Sequence, residues 1–242
     1  MKPWRDCPEQ PAESTSYFCH RLQATRSGRE EEICEICMRF EEACRKDDTL
    51  RDTFAFASKA HKGQRRKGTQ IPYLIHLLRT WGYVQQMTGD LQEQQAAILH
   101  DILEDTTVTA FELRERFGSR VLDLVAGESE YKRTEQPPGE TWQIRKQETI
   151  DRMKHRMGDA EEHSAMHIAF GDKLANLYSM WFEYRLVGDR LWEKFNQKDK
   201  KMHSWYYGAM GKLFAMYFAG YMEMELIEEY KKYYREVFGD EI

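Results

Sequence analysis

The chain has 242 residues, 32% charged and 41% hydrophobic, with a net charge of -5, which fits one large globular domain or a domain with an appendage. No apolar run approaches the ~20 residues of a bilayer span, and the first ten residues lack the apolar core of a secretory signal, so a cytoplasmic protein with no membrane partner is expected. The acidic balance argues against a general nucleic-acid binder but leaves room for a local basic pocket.

Residues 1 to about 28 carry Pro3, Pro8, Pro11 and a Ser/Thr cluster without periodicity, as in a peripheral extension. Residues 29 to 46 read as a charged amphipathic helix. All five cysteines precede residue 45: Cys7, Cys19, Cys34, Cys37 and Cys44. Their odd number argues against a disulfide framework. Cys34-x-x-Cys37 with Cys44 could belong to a zinc site, and Cys19-His20 could add ligands. No second CxxC follows, and ordinary thiols beside Ile33, Ile36 and Phe40 are the preferred reading.

From Thr49 the pattern is consistently helical. Phe54, Phe56, Ala57 and Ala60 form an apolar stripe that ends at His61. Residues 62 to 68, KGQRRKG, are a basic loop. Pro72 suits the first turn of the next helix, which runs through His76 to about Met87. A helix is predicted over 91 to 103. Thr109 with Glu112 is a capping box for a short helix that stops at Phe117-Gly118. Another short helix reaches about Ala126, and 127 to 140 is a polar loop. Further helices are predicted over 141 to 157 and 160 to 184, the second with the core Ile168-Ala169-Phe170. Residues 198 to 238 form one long or two shorter helices rich in Met, Tyr and Phe. No strand alternation or internal repeat occurs, so the fold class is all-α. The expected division is an N-terminal extension over 1–48, a core over 49–195 and a C-terminal helical segment over 196–242.

The chemistry-bearing stretch is LHDILEDT, His100 to Thr106 with its preceding leucine. On a continuous helix Glu104 lies over His100 and Asp101, and Asp105 over Asp101. Crowded carboxylates without a basic neighbour need compensation, and a divalent metal supplies it most simply. His61, His100, Asp101 and Asp172 are candidate ligands. Two imidazoles and two carboxylates suit Mn, Fe, Zn or Co better than calcium. For His76 and His155 a satisfied core or surface imidazole is the ordinary reading.

The order His61, His100-Asp101, Asp172 resembles the HD-domain phosphohydrolases. More narrowly the chain resembles the hydrolase domain of the RelA/SpoT family and its stand-alone small alarmone hydrolases. The matching stretches are AFASKAHKGQRRKGTQIPYLIH, ILHDILEDTTVT, FGSRVLDLVAGESEYK and GDKLANL, covering about residues 49 to 180. TWQIRKQ and SWYY also look like the stand-alone hydrolases. The residues after position 180 are too few for a synthetase domain. The resemblance implies an HD-domain helical bundle with N- and C-terminal helical extensions. It implies metal-dependent hydrolysis of the 3′-pyrophosphate of ppGpp or pppGpp, with Mn2+ or another divalent transition metal as cofactor. It gives Glu104 and Asp105 the catalytic water and proton transfer, and His61, His100, Asp101 and Asp172 the metal. Arg66, Lys67, Asn176, Tyr73 and Arg145 would face the nucleotide, with Lys146 beside Arg145. Tyr73 and His76, from PYxxH, would support the loop and a ligand or carboxylate, and Lys173 reads as a surface lysine.

Two positions depart from the family pattern. Leu77 stands where proline usually follows the PYxxH histidine, and Ala169 where a lysine often precedes the DKL aspartate. Both bear on substrate choice, so an adenosine alarmone or a phosphorylated dinucleotide is the alternative substrate. A non-catalytic antitoxin or sensor is the alternative of another class. It would use Tyr206, Tyr207, Phe214 and Tyr217 as an interface, although core is the commoner place for such residues.

Overall fold

The computed structural model describes residues 30–129, 133, 135–157, 162–221 and 223–242, with side chains from residue 35 onward. The expectations for the extension over 1–28 and for Cys7, Cys19 and the Cys34 side chain lie outside these residues. The described chain is helical: α1 Glu30–Lys46, α2 Asp48–Ala60, α3 Leu74–Met87, α4 Leu91–Leu99, α5 Ile102–Asp105 and α6 Ala110–Phe117. It continues with α7 Ser119–Glu128, α8 Trp142–Arg156, α9 His163–Val187, α10 Lys200–Tyr217 and α11 Met224–Phe238. A 3-10 segment, Gly188–Lys194, follows α9 and has no sequence counterpart above. No strand occurs among the described residues, only an isolated bridge between Arg65 and Pro72 that pinches the basic loop.

Local signals set the helix ends. The Asp47 side chain accepts the Thr49 N–H, and the Asp90 side chain accepts those of Gln92 and Glu93. The Thr109–Glu112 capping box forms with both reciprocal bonds. Gly118, at φ 86°, closes α6 in a conformation that disfavours any side chain.

The expected single helix over 91 to 103 is in fact two. The helix is interrupted at His100 and Asp101, and α5 restarts with Glu104 and Asp105 N–H both donating to the Asp101 carbonyl. Asp101 sits at φ -94° and ψ 0°, a bridge conformation common at active sites.

Two apolar clusters form the core. The first joins Cys37, Phe40 and Cys44 of α1 to Phe54, Trp81, Ile98, Val121 and Ile168. Cys37 and Cys44 are free, buried thiols in it. The second gathers Phe170, Leu174, Tyr206, Phe214, Tyr230 and Phe238 around α8 to α11. Helix α9 borders both, so apolar residues run around its whole circumference from Ala165 to Met180. It packs most extensively on α3. A Cβ at Gly171 would stand 2.8 Å from Val84 Cγ2 and 3.2 Å from the Thr80 carbonyl. That close approach presses the neighbouring Asp172 against α3. Among the described residues no helix is long and apolar enough to cross a membrane.

A candidate metal centre between α3, α4 and α9

Three helices converge on four donor atoms. His76, in the first turn of α3, places Nε2 3.1 Å from Asp172 Oδ1 and 3.4 Å from Asp101 Oδ2. His100 Nε2 lies 2.8 Å from Asp101 Oδ2, 3.5 Å from Asp172 Oδ1 and 3.2 Å from His76 Nε2. Both imidazoles are buried.

His76 therefore occupies the position that the sequence assigned to His61. His61 caps the C-terminus of α2, where its Nδ1 lies 2.8 Å from Gln64 Oε1. Its ring stacks on Tyr73 at 5.2 Å, and burial holds its pKa down. Periodicity gives no direction for a residue in the turn after a helix. A usable signal was present, however. Tyr73 and His76 lie three residues apart and share a face, and Tyr73 Oη donates to Asp101 Oδ2 at 2.7 Å.

The donors fit a divalent transition metal. His100 Nδ1–H donates to the Ala97 carbonyl at 2.9 Å, which leaves its Nε2 lone pair aimed at the cluster. The two imidazole nitrogens stand 3.2 Å apart and both face the Asp101 and Asp172 carboxylates, which carry negative charge. Donors held by one ion at ~2.0–2.2 Å stand roughly 2.8–3.6 Å apart, depending on the coordination angle, and those here lie between 2.8 and 3.5 Å apart. Electrostatics agree. Burial pushes the His100 pKa down, but Asp101 and Asp172 outweigh it and hold it well above the ordinary range. Burial pushes Asp101 up, but His100 and His76 hold it well below. The field that favours a proton here favours a cation.

Supporting contacts surround the donors. Asn176 Nδ2 donates to Asp172 Oδ1 at 2.6 Å, while its Oδ1 accepts from Arg66 Nη2 at 2.7 Å. Arg66 also lies 5.5 Å from the Tyr73 ring centre. The Lys173 ammonium pairs with Asp172 Oδ2 and is largely buried. Burial pushes its pKa down, but Asp172 outweighs this and holds it well above the usual range. Lys173 is thus no surface lysine. A lysine inside an apolar helix is retained where a carboxylate meets it.

Glu104 and Asp105 are half-buried on α5, one turn beyond Asp101. Gln64 Nε2 donates to the Asp105 carbonyl at 2.5 Å, which ties the basic loop to α5. Lys67 is exposed and donates to Asn196 Oδ1 at 2.8 Å. Arg145 donates to Thr141 Oγ1 and the Pro138 carbonyl, both at 3.3 Å, in the loop ahead of α8. Lys146 Nζ lies 5.0 Å from the Tyr206 ring centre. Tyr206, Tyr207 and Phe214 are buried in the second cluster, so they are core rather than an open interface.

The HD-domain family matches residues 53–184, more than half of the sequence. This chain belongs to that family. A Danio rerio protein named guanosine-3′,5′-bis(diphosphate) 3′-pyrophosphohydrolase MESH1 is 32% identical over 138 residues, covering 55% of this chain and 70% of the relative. A Vibrio cholerae protein named guanosine-3′,5′-bis(diphosphate) 3′-pyrophosphohydrolase is 42% identical over 82 residues, covering 34% of this chain and 12% of the relative. The chain spans under a fifth of the length of such bacterial relatives: 12%, 18% and 10% for three of them. A solved Listeria monocytogenes structure superposes with a TM-score of 0.55 at 26% identity, covering 68% of this chain and 99% of that one.

Proposed function

We propose that this chain is a metal-dependent hydrolase that removes the 3′-pyrophosphate of guanosine 3′,5′-bis(diphosphate), working with Mn2+ in the cytoplasm. The observation that carries this reading is the buried convergence of His76, His100, Asp101 and Asp172 beside the Arg66 guanidinium. The names of the relatives supply the nucleotide. His76, His100, Asp101 and Asp172 would hold the metal, which supplies Lewis-acid polarisation of a phosphate ester and acidifies water towards ~7.

In the proposed reaction water adds to the phosphorus attached to the 3′ oxygen. The phosphorus–oxygen bond to the sugar breaks, pyrophosphate leaves and the 3′ oxygen takes a proton. Glu104 or Asp105 accepts the proton of the attacking water and returns one to the leaving oxygen. Arg66 offers a planar fork to a phosphate, and Lys67 a mobile point charge at the rim. Asn176 orients the Asp172 carboxylate and positions Arg66. The Tyr73 hydroxyl fixes Asp101 Oδ2. Arg145, committed to the Thr141 and Pro138 turn, is left out of this site.

The two departures from the family pattern do not weigh against this nucleotide. Leu77 and Ala169 are both fully buried among apolar neighbours. They shape the core and not a pocket wall. Incubation with Mn2+ across ppGpp, pppGpp and adenosine alarmones tests the proposal. Pyrophosphate and a free 3′-hydroxyl are expected from the guanosine substrates. Turnover of an adenosine alarmone alone, or of nothing, would overturn it.

A further inference from the structure

We infer that His163, His167 and Glu223 form a second metal site, of the two-histidine, one-carboxylate kind that takes Zn2+, clipping the C-terminal helical pair to α9. His163 and His167 lie one turn apart at the start of α9, with ring centres 4.3 Å apart. Glu223 comes from the turn between α10 and α11. One donor atom from each residue lies within 4.8 Å of the others. This cluster is separate from the site between α3 and α4, although the same helix serves both.

The cluster is built for a cation. His167 and Glu223 are 3% and 7% exposed, yet His167 Nε2 and Glu223 Oε2 have no hydrogen-bond partner. His167 Nε2 faces Glu223 Oε1 at 3.4 Å. That is long for a hydrogen bond but is the separation of ~3.4 Å that two donors take around tetrahedral zinc. The other ring nitrogen of His167 is fixed, with Nδ1 2.8 Å from Glu93 Oε2. A carboxylate there sets the tautomer and sends the Nε2 lone pair to the metal. Glu93 is itself held by Ser164 Oγ at 2.7 Å.

Charge points the same way. Glu93 and Glu223 are two buried carboxylates around one buried imidazole. The nearest guanidinium, Arg120, stands 3.6 Å from Glu93 and is engaged with Asp90 at 2.9 Å. A divalent ion balances the pair of carboxylates. His163 is suited to lend a lone pair, since burial and then His167 hold its pKa down. Its Nδ1 lies 3.0 Å from Tyr217 Oη, which orients the ring. Borderline-soft nitrogen donors with one carboxylate suit zinc and not calcium. A bound ion would join α4 through Glu93, α9, and the α10–α11 turn.

Metal counting in purified protein loaded with Zn2+ and then desalted tests this. The parent should carry two equivalents and Glu223→Gln one. Glu223→Gln keeps the shape of the side chain, so the fold should survive, as circular dichroism would verify. In a His76→Ala, Asp101→Ala background one equivalent should remain, and adding His163→Ala should remove it. Co2+ in place of zinc should give an absorption band in that background that Glu223→Gln abolishes. A His76→Ala, Asp101→Ala protein that retains no zinc, or a Glu223→Gln protein that still holds two equivalents, would overturn the second site. None of these readings depends on which nucleotide is hydrolysed.

Discussion

Replacing His76 and His61 separately tests which of the two histidines holds the metal. His76 Nε2 stands 3.1 Å and 3.4 Å from oxygens of Asp172 and Asp101, whereas His61 Nδ1 is engaged with Gln64. Residues that only orient a metal ligand cost ~10–100-fold in affinity when lost. A ligand should therefore exceed that upper figure, so His76→Ala should weaken metal binding by more than ~100-fold, about 2.8 kcal/mol at 1.4 kcal/mol per tenfold. His61→Ala should stay within about tenfold, because it loosens Gln64 and through it the Asp105 carbonyl. Metal at 100 times its dissociation constant stabilises the fold by about 2.7 kcal/mol. At about 2–4 °C per kcal/mol for a chain of this size, chelation should lower the melting temperature by roughly 5–11 °C. In a His163→Ala background, which removes the second site, His76→Ala should lose that chelator response and His61→Ala should retain it. Titration calorimetry and melting curves with and without chelator provide the measurement. A His61→Ala protein that loses metal while His76→Ala keeps it would refute the assignment.

Other variants probe the surroundings of the site. Tyr73→Phe removes the bond to Asp101 Oδ2 and should cut metal affinity by about 10–100-fold with the helical content unchanged; wild-type affinity would show that the hydroxyl does not orient Asp101. Arg66→Ala should raise KM for the nucleotide far more than it lowers kcat, and unchanged steady-state kinetics would remove Arg66 from the substrate site. Lys173→Met strips the buried Asp172 of its ammonium partner and should destabilise the metal-free protein by about 3–5 kcal/mol in urea unfolding. Asp90 caps α4, and its pKa is lowered first by the Arg120 hydrogen bond. A carboxylate depressed in the folded state stabilises above its unfolded value of ~3.9, and that contribution is lost as pH falls through the folded value. The melting difference between the parent and Asp90→Asn should thus be largest near neutrality and fade below about pH 4; a difference that grows in acid would contradict the pairing.

Most helices were legible because their apolar residues recur at helical spacing and their caps are explicit, as at Thr109–Glu112 and Gly118. The interruption at His100-Asp101 was not legible. LHDILED contains neither glycine nor proline, and its apolar positions continue at helical intervals across the break. What interrupts it are contacts distant in sequence: the His76 imidazole from α3 and the Tyr73 hydroxyl, both on Asp101. The same limit explains Lys173 and His61. The burial of Lys173 follows from where Asp172 points, and the turn after Ala60 aims His61 at Gln64. Sequence motifs pointed to the segments that carry His100-Asp101 and Asp172 but to the wrong histidine of the other two, and the directions of side chains at helix ends came only with the fold.

Helix α9 accounts for how four donors from separate helices stay in place. Gly171 lets it lie against Thr80 and Val84 of α3, the helix that carries His76. Asp172 follows directly and is held on both oxygens, Oδ1 by Asn176 and Oδ2 by Lys173. A one-residue slip of α9 would swing Asp172 by about 100° around the axis, far outside reach of His76. The apolar circumference of α9 opposes such a slip, since both clusters grip it. The contacts of His167 with Glu93 and Glu223 fix its first turns to α4 and to the α10–α11 turn. Rigidity of the Asp172 carboxylate is thus supplied from the far end of its own helix.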